Sequence, residues 1–65
     1  MKPNQILAAL MLAEVRSVAI ARKFNTTRGM ISNVIYGRVK SRKIQEEIAA
    51  VIGKTVNEIW PQWAA

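Results

Sequence analysis

Apolar positions along this chain form short helical stripes, each closed by a residue that turns the backbone. Ile6, Leu7, Leu10 and Met11 fall on one face of a first helix, expected from Pro3 to about Leu12. Pro3 stands at its first position, where a missing N–H costs nothing. Glu14 to Arg16 reads as a short connection. A second helix starts near Ser17, the expected N-cap, and ends at Phe24, burying Ile20, Ala21 and Phe24. Asn25 follows, a residue that tolerates the left-handed conformation a helix end requires. Thr26 or Thr27 caps a third helix running to about Tyr36, with Ile31, Val34 and Ile35 inside and Thr27, Arg28, Ser32 and Asn33 outside.

Gly37 stops that helix, and Arg38 to Lys40 form a basic loop. Ser41 is the expected cap of a fourth helix. Its Ile44, Ile48, Val51 and Ile52 keep the i, i+4, i+7, i+8 spacing of a buried stripe. Gly53 ends it. Thr55 and Glu58 then make a capping box that opens one more turn, closed by Pro61, from which Ile59 and Trp60 fold back over the core. No repeat, low-complexity tract or linker interrupts this order. The pattern therefore predicts one all-α domain of five helices over residues 1–65.

Composition narrows the chemistry. At 65 residues a single core is near the lower limit of independent stability. Cysteine and histidine are both missing, which excludes disulfides and the usual zinc ligands. The four carboxylates are spread along the chain, so no catalytic constellation assembles, and neither an enzyme nor a cofactor or metal site is expected. The apolar stretch from Ile6 to Ala13 is too short for a leader and no A-x-A cleavage site follows it. Nothing approaches the ~20 apolar residues of a membrane span. A reducing cytoplasm suits a chain without disulfides, and no membrane or small-molecule ligand is implied.

Charge then changes the picture. The formal net charge is +6, and eight of the ten basic residues lie between Arg16 and Lys43, a stretch without one of the four acids. Two helices joined by a tight turn on a purely positive surface are the parts of a helix-turn-helix seated on nucleic acid. Ala21 is small where the third helix must cross the second. Ile20 and Phe24 before the turn, with Ile31 and Val34 after it, lock the pair, and Asn25 substitutes for a turn glycine.

The outer face of the third helix then carries the reading groups. Arg28 suits the two major-groove acceptors of guanine and Asn33 suits adenine, while Thr27 and Ser32 reach a base edge or a phosphate. Gly29, a poor helix former, lets the backbone come close to the DNA. Arg38, Lys40, Arg42 and Lys43 are assigned to the phosphate backbone, because cations at the start of the fourth helix oppose its dipole unless an anion is near. Arg22 and Lys23 do the same on the other side, and Ser17, Thr26 and Tyr36 complete the backbone set. Tyr36 is equally readable as a lid on the core. Trp60 and Trp63 are expected to pack rather than to stack on bases, and Glu46, Glu47 and Glu58 to be ordinary surface acids.

These residues resemble the lambda-repressor-like helix-turn-helix proteins, and more closely the Ner-like regulators of phages and their Nlp relatives. The likeness covers nearly the whole chain. It rests on Arg22-Lys23-Phe24-Asn25, on Ile31 and Asn33 in the third helix, and on the closing Glu58-Ile59-Trp60-Pro61. Asn25 departs from the usual turn glycine and Thr26 from the apolar residue often next to it. The resemblance implies a small transcriptional regulator, of the repressor type, that binds operator DNA.

One unit of this size reads only a few base pairs, so two copies on an inverted repeat are expected. A homodimer forming only on DNA is left open, with Trp63 and the C-terminal turn as the expected self-contact. Two other readings share the same charge. One is a non-specific architectural DNA-binding protein, the other an antitoxin or polymerase-inhibitor type of interaction module.

Overall fold

The computed structural model describes residues 1–63, and every regular element in it is helical. The order is α1 (Pro3–Leu12), α2 (Ser17–Lys23), α3 (Arg28–Ile35), α4 (Arg42–Ile52) and α5 (Val56–Ile59), followed by a 3₁₀ turn at Pro61–Trp63. The all-α architecture with five helices is as the pattern predicts; the closing 3₁₀ turn is additional.

The first four helices stop by one device. Just past each end stands a residue with positive φ: Glu14 at 59°, Asn25 at 53°, Gly37 at 75° and Gly53 at 70°. The reversal lets the next amide reach back over the last turn. Val15 N–H donates to Leu10 O at 3.0 Å, Thr26 to Ala21 at 2.9 Å, Arg38 to Asn33 at 2.9 Å and Lys54 to Ala49 at 2.9 Å. Carbonyls that a helix end would otherwise leave unpaired are thus satisfied. Asn25, Gly37 and Gly53 have the chemistry for this. Glu14 does not, and a left-handed residue with a Cβ carries ~1–2 kcal/mol of strain.

Helix starts are less uniform. The Thr27 hydroxyl accepts from Met30 N–H at 3.1 Å, which settles the choice between Thr26 and Thr27. The capping box closes both ways: Glu58 N–H donates to Thr55 Oγ1 at 3.2 Å and Thr55 N–H to Glu58 Oε1 at 3.1 Å. Each such cap is worth ~1 kcal/mol. Ser17 is not a cap, because Arg16 takes the position before α2 and Ser17 is already helical. Ser41 does precede α4, but its hydroxyl makes no capping hydrogen bond.

The core is built where the helices cross. Ile6 and Leu10 of α1 meet Ile20 and Ala21 of α2, Ile31, Val34 and Ile35 of α3, and Ile44, Ile48 and Ala49 of α4. Ile59 and Trp60 close the far side, as expected. Burial departs from the apolar pattern at several positions. Leu7 and Met11 are exposed, because α1 turns by 85° into α2 and only the Ile6–Leu10 edge faces the bundle. Phe24, Val51 and Ile52 are half-buried at the core margin. Tyr36 is 48% exposed and does not cover the core. Gln45, which the apolar pattern leaves outside, is fully buried beside Ile44 and Ile48.

Candidate nucleic-acid interface

α3 presents two faces. Ile31, Val34 and Ile35 are buried, and α2 packs on it more extensively than any other element does. The helical repeat puts Gly29 at the centre of the opposite face, with Ser32 and Tyr36 to one side, Asn33 to the other, and Arg28 at the edge. Thr27, Arg28 and Tyr36 are exposed, while Ser32 and Asn33 are half-buried. Gly29 is exposed too, and its φ is an ordinary helical one, so the backbone does not require glycine there. A methyl group on it would touch only Thr27 Oγ1, at 3.7 Å, so packing does not require it either.

The expected reading residues are not all equally free. The Thr27 hydroxyl oxygen is engaged as the cap, leaving its O–H to donate. Asn33 Oδ1 accepts from Arg38 Nη1 at 3.5 Å, at the limit of a hydrogen bond and readily exchanged. The Arg38 guanidinium also lies 5.0 Å from the centre of the Tyr36 ring. Asn33, Tyr36 and Arg38 therefore form one cluster at the end of α3, built by the tight turn through Gly37. Arg28, at the other end, borders a groove with Ser17 and Val18 of α2 and Leu7 and Met11 of α1.

The basic residues divide by partner. Lys23 Nζ lies 2.9 Å from Glu47 Oε1, tying α2 to α4, and Arg42 Nε lies 2.9 Å from Glu46 Oε1 one turn on. Glu46 and Glu47 are thus ion-pair partners, and Glu58 is a cap. Both ion pairs are exposed and each is worth less than ~1 kcal/mol, so a phosphate can replace the carboxylate at little cost. Arg16, Arg22, Arg28, Arg38, Lys40 and Lys43 have no carboxylate partner among the described residues. Lys40 Nζ sits 5.9 Å from the Trp63 ring, so the basic loop lies beside the C-terminal turn. Thr26 and Lys43 share a shallow hollow with Phe24, Met30, Val39 and Ile44, on the other side of α3 from Arg28.

Among the described residues no cluster of His, Cys, Asp and Glu could hold a metal ion. No single helix is long and apolar enough to cross a membrane. Arg16, outside the expected contact set, stands just before α2, exposed and without a carboxylate partner among the described residues. Compared with known proteins, the chain matches no family model, no curated protein and no solved structure.

Proposed function

We propose that this protein is a sequence-specific, double-stranded DNA-binding transcriptional regulator, a repressor of the phage type. In this reading α2 and α3 act as a helix-turn-helix, with α3 lying in the major groove. The observation that carries it is the outer face of α3. A glycine that neither backbone conformation nor packing requires sits at its centre, ringed by Arg28, Ser32, Asn33 and Tyr36. That face belongs to a stretch whose cations are mostly unneutralised. A bare patch of helix backbone fits close approach to another surface, and unpaired cations select a polyanion.

Arg28 and Asn33 supply the bidentate donors and acceptors that distinguish guanine and adenine, each pair worth ~1–3 kcal/mol against the wrong base. Thr27 and Ser32 contribute at base edges or phosphates. Ser17, Arg22, Lys23, Thr26, Tyr36, Arg38, Lys40, Arg42 and Lys43 hold the phosphates on both flanks and fix the register without reading sequence. Two copies bind an inverted repeat, with half-sites spaced by about one helical turn of DNA, ~34–36 Å. No catalysis, metal or cofactor enters, and the work is done in the cytoplasm.

Selection from a random duplex library at roughly physiological salt tests this directly. An enriched inverted repeat is the expected result. Binding without enrichment would replace the proposal by a non-specific architectural role, and no binding would redirect it to a protein partner.

A further inference from the structure

α1 leaves part of its apolar surface unused. Met11 is 77% exposed and Leu12 86%, far more than side chains that only border a core. Leu7, Leu10, Met11, Val15 and Val18 line an open groove where α1 turns into α2, with Arg16, Ser17 and Arg28 on its rim. A second hollow continues it through Met11 and Val15 to Glu14 and Arg16. Glu14 and Arg16 are both exposed, and neither side chain has a partner among the described residues.

Glu14 also holds a left-handed conformation, at φ 59°, that glycine or asparagine would adopt with less strain. That conformation ends α1 and leaves the carboxylate exposed beside the groove. An acid immediately before the basic stretch, two residues from an unpaired arginine and beside exposed apolar groups, is self-complementary. A two-fold axis through such a surface allows each Glu14 to face the other copy's Arg16.

We propose that this groove is a self-docking surface. A second copy of the chain seats on Leu7, Met11 and Val18, and two reciprocal Glu14–Arg16 ion pairs flank the apolar contact. Trp63, the self-contact expected from the sequence, is half-buried against the core with Lys40 Nζ 5.9 Å from its ring, and so offers less free apolar surface than Met11. The surface is small beside the ~20–30 residues a side of a stable interface, so the free chain associates weakly, with Kd on the order of 1 mM. DNA carrying two half-sites raises the effective concentration and fills the dimer. That last step rests on the proposed function; the self-association itself does not, and it is measured without DNA.

The experiment uses protein labelled with ¹³C at its methionine methyls. The Met11 signal should move with protein concentration while that of half-buried Met30 stays still. Glu14→Arg and Arg16→Glu each turn two attractions into two repulsions and should weaken association by about tenfold. Mixed in equal amounts, the two variants face each other with opposite charges, and association should return. Neither side chain makes a contact that the fold needs, and circular dichroism confirms that each variant is folded. A Met11 signal independent of concentration would overturn the proposal, leaving the groove to a different protein. A mixture no tighter than its components would overturn it as well.

Discussion

Replacing Gly29 by alanine separates the stability of α3 from its use. In the free protein the added methyl meets only Thr27 Oγ1, at the ordinary contact distance of 3.7 Å, and φ needs no adjustment. Alanine restricts the unfolded chain and favours the helix, an advantage of ~0.5–1 kcal/mol in a helix interior. Gly29 lies in the first turn, so the lower figure applies, and ~0.5 kcal/mol corresponds to a rise in Tm of about 2–4 °C for a domain of this size.

On DNA the same methyl stands out from the centre of the exposed face. If the backbone there touches the groove, the methyl acts like an overpacked core, costing ~1–3 kcal/mol, or roughly 5- to 150-fold in Kd. Thermal unfolding followed by circular dichroism gives the first quantity. Fluorescence anisotropy on the selected duplex, at one fixed salt concentration, gives the second. A variant that is more stable and binds as tightly as before would refute close approach at Gly29. One that is less stable would refute the account of the helix itself.

Other outcomes follow from particular residues. Arg28→Ala combined with Asn33→Ala should leave a folded protein that binds DNA without sequence preference, as read by the same library selection; retained preference would remove α3 as the reader. Gln45 is fully buried with neither Nε2 nor Oε1 hydrogen-bonded, so Gln45→Met should stabilise the fold by ~1–3 kcal/mol in urea unfolding, and a loss of stability would show that those atoms have partners. The hydrogen bonds from Thr55 hold the Glu58 carboxyl below its ordinary pKa of 4.5, with Lys54 adding a smaller pull. A folded pKa below the unfolded one means the carboxylate stabilises the fold above the ordinary value, and this is lost as pH falls through the depressed value. The gap in urea midpoint between the native chain and Glu58→Gln should therefore be widest near neutrality and close as pH falls through the depressed value. A gap independent of pH would contradict that.

What could be read directly from the residues is what a helix settles within its own last turn. Asn25, Gly37 and Gly53 mark the ends of α2, α3 and α4 because each tolerates the left-handed backbone that satisfies terminal carbonyls four or five residues back. Thr27 and the Thr55–Glu58 pair mark starts for the equivalent reason at the other end. The expectation for Ile6, Leu10, Ile31, Val34, Ile44 and Ile48 also holds, since a period near 3.6 puts them on one face wherever the helix goes. The concentration of positive charge between Arg16 and Lys43 needs no structure at all.

Tertiary structure decided the rest. Leu7 and Met11 have the same spacing as Ile6 and Leu10, yet the 85° turn between α1 and α2 leaves them outside. Gln45 is polar, yet its position on α4 puts it in the core with Ile44 and Ile48. Glu14 has no preference for the conformation it holds, and takes it because Val15 must reach back to Leu10 for α1 to end beside α2. Lys23 finds Glu47 across 24 residues of chain. Local hydrogen bonds depend on neighbours a few residues apart, and these the sequence by itself determines. Burial, ion-pair partners and strain depend on which helices the fold brings face to face, and no window of the chain contains that information.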